Sequence, residues 1–295
     1  MGNRAAILKT LLYSEIFNYP LKKEEIYNFL ISSHKISEEE IYKTLKFLKK
    51  PLKEKNNYFY ISSDIARVSE RQNKEEKSNK KIKKAKKIIK KISIIPTIKF
   101  IGISGALSMK NSEENDDIDI FIISEKDFAW TTRFLVAIFL NLLGSYRTRN
   151  SINFADKICL NMILDENSMY FKNKKQNLYV AHEIMQMLPV FNKNETFEKF
   201  IGINNWTNNF LPNAKVKKNY YINKKRNTIW DPLIIVLLKV LLAEKVLRFL
   251  QFAYMKKHIS KETVSNNYLG FHPFDYETYI LKTYRNKLKN FGLKY

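Results

Sequence analysis

The sequence contains a single cysteine, Cys159, in 295 residues. One cysteine excludes an internal disulfide framework and is typical of proteins from a reducing compartment. We therefore expect a cytoplasmic protein. Cys159 lies between apolar residues of a predicted strand, so we interpret it as a small core residue.

The sequence also lacks a long apolar run that is free of charges. Residues 134–143 are too few to span a bilayer. Residues 233–254 include four charged side chains that are costly in lipid, namely Lys239, Glu244, Lys245 and Arg248. The N-terminal apolar stretch is interrupted by Lys9 and Glu15, so we expect no signal peptide. We expect no membrane partner, and we expect both apolar segments to be helices buried against protein.

Acidic residues are scarce relative to basic ones. The chain has 29 Asp and Glu against 52 Lys and Arg, a formal net charge of +23. Such an excess favours polyanionic partners such as nucleic acid, nucleotides or an acidic membrane. The alternative is a compositional bias toward lysine, asparagine and isoleucine without an electrostatic role.

Residues 1–62 show the pattern of three short helices followed by a hairpin. A capping box, Ser37-Glu-Glu-Glu40, opens the third helix, whose apolar residues include Ile41 and Leu45. Its opposite face is basic, with Lys43, Lys46 and, just beyond, Lys50. The segment resembles a winged helix, which implies contact of these lysines with RNA or DNA. A winged helix that binds only protein is the alternative.

Three further units follow along the chain. Residues 63–93 form a basic helix with one apolar face, whose lysines are either solvated or part of a polyanion surface. Residues 94–170 alternate strand and helix, which predicts an α/β unit. Residues 171–295 are predicted to be all-helical, with helices near 177–188, 195–210, 232–257 and 274–291. The sequence thus predicts an α+β protein.

Two aspartates open the strand predicted at 118–123. Strand side chains alternate, so Asp117 and Asp119 point to the same side, where they can hold Mg²⁺ and through it the phosphates of a nucleotide. Twelve residues upstream of Asp116, Ser104-Gly105 lies where a strand turns into a helix, and backbone amides at such a turn bind phosphate. Asp116 falls on the other face and is predicted to be a turn residue.

This combination resembles the nucleotidyltransferase superfamily of DNA polymerase β, over residues 97 to about 165. The resemblance implies a central domain with a mixed sheet, Mg²⁺ held by Asp117 and Asp119, and a triphosphate held by Ser104 and Gly105. It also implies transfer of a nucleoside monophosphate from an NTP, with ATP as the expected nucleotide, to a hydroxyl acceptor, with nucleic acid as the expected acceptor.

The family places a third catalytic carboxylate on a later strand, and the candidate strand at 157–164 contains none. Asn161 is the polar residue best placed to substitute, while Asp156 and Asp165 lie at the strand's ends. The alternative function is therefore a nucleotide-sensing, nucleic-acid-binding regulator that has lost turnover. His182-Glu183 lacks the second histidine of a zinc-binding HExxH motif, so His182 is interpreted as helix surface or core. The sequence does not indicate an oligomeric state.

Overall fold

A computed structural model describes residues 2–48, 50–61, 66–148, 153–216, 220–224, 230–241, 243–256, 263–271 and 275–295. Within these ranges the protein is α+β, as expected, with a small antiparallel sheet near the N-terminus and a large mixed sheet. Among the described residues, no helix has both the length and the apolar character needed to cross a membrane.

The N-terminal region has the element order that the sequence predicts. Helices α1 (Asn3–Ser14), α2 (Lys23–Asn28) and α3 (Glu38–Phe47) are followed by the hairpin β2 (Lys53–Lys55) and β3 (Tyr58–Tyr60), and β1 (Leu21–Lys22) completes an antiparallel sheet of order β1-β3-β2. The predicted capping box is present. Ser37 Oγ accepts from the Glu40 amide at 3.3 Å, and the Ser37 amide donates to the Glu40 carboxylate at 3.1 Å.

Helix α4 (Ala66–Ile92) connects this region to the large sheet. The predicted apolar face is confirmed, because Ile82, Ala85, Ile89 and Ile92 are all buried in the core of the sheet. Nearer its start, the buried Arg71 donates to Tyr19 Oη at 2.5 Å and to Glu25 at 3.3 Å. The helix therefore packs against both parts of the molecule.

The large sheet contains seven strands in the described ranges. They are β4 (Ile98–Ile103), β5 (Ile118–Ser124), β6 (Ile158–Asp165), β7 (Leu188–Lys193), β8 (Ile222–Lys224), β9 (Thr263–Val264) and β10 (Tyr268–Gly270), in the order β8-β7-β4-β5-β6-β10-β9. Strands β5 and β6 are parallel, β4 is antiparallel to both β5 and β7, and β10 is antiparallel to β6. The strand that carries the two aspartates is thus near the middle of the sheet.

Seven more helices surround the sheet in the described ranges. They are α5 (Gly105–Ser108), α6 (Ala129–Leu142), α7 (Leu178–Gln186), α8 (Thr196–Ile203), α9 (Trp230–Val240), α10 (Ala243–Lys256) and α11 (Tyr276–Asn290). Ile118, Ile120 and Ile122 pack toward α4 and α6, as expected from strand alternation. Phe121 and Ile123 pack on the opposite face with residues of α1, α7, α8 and α11.

The prediction of an all-helical region after residue 170 is wrong. Four of the seven strands come from it, and β7 lies directly beside β4. Five of the six residues of β7 are buried, so both faces of the strand are covered. A strand with two buried faces lacks the alternation of polar and apolar residues and cannot be distinguished from a helix segment by its period.

The second apolar segment is not buried against protein as predicted. In α9 only Asp231 is buried, and in α10 only Gln251 and Met255 are. The first segment forms α6, which buries Val136 and Leu140 but leaves Leu142 exposed. Apolar residues that have no neighbour to cover them cannot be recognised from composition, because their pattern resembles that of buried helices.

Candidate functional site

The turn after β4 brings the backbone against Asp119. The Ser104 amide donates to the carbonyl oxygen of Asp119 at 3.0 Å, which fixes the turn to β5. Gly105 has φ +61°, and a Cβ at this position would lie 2.7 Å from Asp119 Oδ2. Glycine suits this position, because another residue would be strained at this φ and its Cβ would press on the carboxylate.

The two aspartates converge as the alternation predicts. Asp117 immediately precedes β5, and Asp119 is the second residue of the strand. One oxygen from each and the sulfur of Cys159 lie within 4.8 Å of one another. We call Asp117, Asp119 and Cys159 the acidic group.

Cys159 is not the core residue that the sequence predicts. It is partly exposed, and the parallel register of β5 and β6 places it opposite Asp119. The register shifts by one residue after Ile120, so Asn161 is the extra residue of β6 between the partners of Ile120 and Phe121. The Asn161 side chain instead donates to Ser104 Oγ at 3.3 Å. Both residues border the site, but the thiol is the one directly beside the carboxylates.

Arg147 is a member of the site that sequence analysis missed. It follows Tyr146, which makes an isolated bridge to Ile158 at the start of β6. Its guanidinium donates to Asp117 Oδ2 at 2.5 Å and to Cys159 Sγ at 3.4 Å. Nothing in the sequence motif requires an arginine here, since its position depends on the bridge that brings the loop to the strand.

Ionisation of Asp119 and Cys159 in the acidic group is unfavourable in the folded protein. Burial, followed by the neighbouring charge of Asp117, raises the pKa of Asp119 to about 7. Burial and the charges of the two aspartates also raise the pKa of the Cys159 thiol. The thiol is therefore protonated at neutral pH and adds no negative charge to the group.

The other aspartates near the motif have structural partners instead. Asp116 accepts from the Glu113 amide at 2.7 Å, which confirms the predicted turn role. Asp156 pairs with Lys84 at 2.9 Å. Asp165 is fully buried, accepts from the Asp127 amide at 2.8 Å and lies beside Ser124 at the far end of β5. Neither Asp156 nor Asp165 joins the acidic group.

A buried lysine of α4 supports the loop in front of the aspartates. Lys81 Nζ donates to the carbonyl oxygens of Glu113 at 2.9 Å, Glu114 at 3.1 Å and Asp116 at 2.6 Å. This lysine belongs to the run interpreted as solvated or polyanion-binding, and it does neither. Its charge is instead satisfied by three backbone carbonyls, which anchors the chain that leads into Asp117.

Two adjoining cavities meet at the site. The first, of about 440 Å³, is bordered by Gly105, Asp119 and Arg147 and by aromatic residues of the N-terminal region. The second, of about 410 Å³, is bordered by Ser104 and by side chains of α7 and α11. Four residues border both, namely Asn161, Tyr179, Glu183 and Tyr276. Both volumes fall in the range of small-molecule pockets, roughly 300–1,000 Å³.

Glu183 of α7 is a second site residue that sequence analysis missed. It is partly buried and borders both cavities, and burial together with the charge of Asp119 raises its pKa to about 7. The preceding His182 is buried, stacks on Tyr13 at 4.1 Å between ring centroids and has its pKa lowered by burial to about 4. Both residues border the first cavity, but His182 is a neutral, buried residue and Glu183 is the ionisable side chain that borders both cavities.

The basic face of α3 lies on the surface. Lys43, Lys46 and Lys50 are exposed, while Ile41 and Leu45 are buried in the N-terminal core. The predicted division of this helix into an apolar inner face and a basic outer face is confirmed.

The donor set suits Mg²⁺ in part. Two carboxylates are the usual protein ligands of this ion, whose other positions are taken by water and substrate phosphates. A protonated thiol is a poor ligand for a hard cation, so Asp117 and Asp119 would hold the metal and Cys159 would not.

Comparisons of the chain with protein-family models, with curated proteins and with solved structures find no match. The arrangement of side chains is therefore the basis for assigning a function.

Proposed function

We propose that the protein is a Mg²⁺-dependent nucleotidyltransferase that uses an NTP, with ATP as the expected nucleotide. The observation that carries this proposal is the acidic group beside the Gly105 turn: two carboxylates converge where the backbone approaches them and a cavity opens. Bound Mg²⁺ would neutralise the phosphates and make the α-phosphorus more electrophilic. An acceptor oxygen forms a bond to that phosphorus while the bond to the leaving pyrophosphate breaks.

The residues of the turn and Arg147 would position the triphosphate. The backbone of Gly105 and the hydroxyl group of Ser104 lie next to Asp119, while the Ser104 amide is engaged with the Asp119 carbonyl oxygen. Arg147 pairs with Asp117, yet its side chain is 38% exposed and borders the cavity. In the nucleotide complex its guanidinium can donate to phosphate oxygens, for which its planar fork of donors is well suited.

Glu183 would accept the proton that leaves the acceptor hydroxyl. A general base works best when its pKa lies near the operating pH, and the pKa of Glu183 is about 7. Asn161 is no practical base, because an amide does not take up a proton near neutrality. In this scheme Asn161 holds Ser104 in place, and Glu183 supplies the carboxylate that β6 lacks.

The basic N-terminal region would recruit a nucleic-acid acceptor. Lys43, Lys46 and Lys50 form an exposed basic patch, which is consistent with a winged-helix role in binding RNA or DNA. The expectation that nucleic acid is the acceptor rests on this patch and on the net charge of +23.

The second candidate function is a nucleotide sensor without turnover. The observation that favours it is the protonated thiol of Cys159 directly opposite Asp119, where a carboxylate would strengthen metal binding. Such a protein would bind Mg–NTP and nucleic acid and would release no pyrophosphate.

One set of assays separates the two functions. The protein is incubated with Mg²⁺, each α-labelled NTP and total cellular RNA, and both pyrophosphate release and labelled RNA are measured. An enzyme should transfer label, and Glu183→Gln should reduce the rate about 10²-fold or more without weakening nucleotide binding. Tight NTP binding with no labelled RNA, DNA, protein or metabolite would favour the sensor.

Two substitutions test which residue of β6 occupies the position of the third carboxylate, beside Asp117 and Asp119. Cys159→Asp introduces a carboxylate opposite Asp119 and should tighten metal binding in both functions, whereas it should raise turnover only in an enzyme. Asn161→Asp lies one register step away and should have the smaller effect. A larger gain from Asn161→Asp would show that the bulge, and not the thiol, marks the metal site.

A further inference from the structure

Helices α9 and α10 present an unusually apolar surface. Among the described residues of 230–241 and 243–256, twelve large apolar side chains are more than a third exposed, including Trp230 at 69% and Phe249 at 72%. Together they expose on the order of 1,000 Å² of apolar area, more than the few hundred that single patches of monomeric proteins usually reach. We call residues 230–256 the apolar ridge.

The charges of the ridge that are not engaged in contacts within the protein are positive. Its two carboxylates are both engaged with the body of the protein. Asp231 is buried and pairs with Lys193 at 2.8 Å, and Glu244 accepts from the amides of Trp130 at 2.9 Å and Thr131 at 2.8 Å. Within the described ranges, the ridge's four basic residues form no ion pair with a carboxylate, and one of them lies 6.0 Å from the centroid of the Phe128 ring; these residues are Lys239, which contacts Phe128, and Lys245, Arg248 and Lys256. The outward-facing surface is therefore apolar and cationic.

We infer that the apolar ridge binds the surface of an anionic lipid bilayer. A helix with a broad apolar face, aromatic residues and flanking Lys or Arg lies in the plane of the interface, with its apolar side chains among the acyl chains and its cations near the headgroups. Trp230, Phe249 and Phe252 provide the aromatic residues. The ridge lies on the surface and does not cross the bilayer. The proposal therefore departs from the sequence-based expectation of no membrane partner, which depended on the lack of a segment that could span the bilayer.

The same charges disfavour a second copy of the chain as the occupant. In a symmetric dimer each ridge would face an identical ridge, and the four basic residues of one copy would meet those of the other. The two carboxylates that could offset this repulsion, Asp231 and Glu244, are occupied within the protein. An anionic bilayer satisfies the apolar area and the positive charge at once.

The test is sedimentation of the full chain with vesicles of phosphatidylcholine alone and of equal parts phosphatidylcholine and phosphatidylglycerol. We expect binding to the anionic vesicles only. Phe249→Ser should lower the partition coefficient about tenfold, because the benzyl group no longer enters the acyl region. Lys245→Gln and Lys256→Gln should each lower it about fivefold.

Phe47→Ser is the matched control. Phe47 is 75% exposed on α3, so its replacement removes the same group at similar exposure but outside the ridge. It should leave vesicle binding unchanged, and thermal unfolding should confirm that both serine variants are folded. If Phe249→Ser bound the vesicles as tightly as wild type, the binding would result from the protein's net positive charge alone, and the proposal would be overturned. So would a stable dimer in ultracentrifugation that Phe249→Ser dissociates and that shows no affinity for vesicles.

Discussion

Replacing Asp119 by asparagine should stabilise the metal-free protein at alkaline pH. Burial and Asp117 raise the pKa of the Asp119 carboxyl from 3.8 to about 7. The folded state therefore holds the proton more tightly than the unfolded state does. Protonation of Asp119 therefore contributes to the free energy of unfolding. This contribution is fully present below about pH 4 and is lost as the pH rises through about 7.

The size of the effect follows from the same two values. A rise in pKa from 3.8 to about 7 corresponds to roughly 4 kcal/mol. Asparagine carries no charge at any pH and removes this cost. Since the carboxylate retains some contact with water, we expect the variant to be more stable than wild type by about 2–4 kcal/mol at pH 8. Near pH 4 the difference should vanish.

Urea unfolding with a metal chelator, at intervals from pH 4 to pH 9, measures this difference. The control is Glu54→Gln, because Glu54 is an exposed carboxylate of the hairpin strand β2, outside the site, and its loss should leave the free energy of unfolding at pH 8 unchanged. A variant Asp119→Asn that is no more stable than wild type at pH 8 would show that the acidic group is not strained, and the description of the site would be wrong.

Two further predictions concern the basic residues. Lys81→Met removes a buried donor that three backbone carbonyls of the aspartate loop share, and it should lower the free energy of unfolding by about 1–3 kcal/mol. The exposed Lys83→Met should change it little, as measured by urea unfolding. Joint replacement of Lys43, Lys46 and Lys50 by glutamine should weaken RNA and DNA binding. The slope of log K against log salt concentration should become less steep by the amount expected for about three phosphate contacts. A slope equal to that of wild type would exclude this patch as the binding site.

The local patterns of the fold could be predicted from the sequence. The capping box at Ser37, the buried row Ile82 to Ile92 and the alternation around Asp119 each depend on a short period or a local hydrogen bond. Such features are set by neighbouring residues and need no knowledge of distant contacts.

Long-range pairing could not be predicted in the same way. Strand β7 is two residues from the end of α7 and yet pairs with β4, about ninety positions upstream in the chain. The roles of Cys159 and Arg147 depend on the register in which β6 pairs with β5 and on the bridge from Tyr146 to Ile158. A one-residue shift of register changes which side chain faces Asp119, and no local pattern reveals it.

The central claim is that Asp117 and Asp119 hold Mg²⁺ with a nucleotide. Calorimetric titration of the protein with Mg²⁺ and the non-reactive analogue α,β-methylene ATP tests it most directly. Asp117→Ala and Asp119→Ala should each weaken binding more than about a hundredfold, since even indirect supports of a metal ligand are worth about 10–100-fold. Glu114→Ala, which removes a nearby exposed carboxylate paired with Lys77, should bind like wild type. Unchanged affinity in both Asp117→Ala and Asp119→Ala would contradict the account.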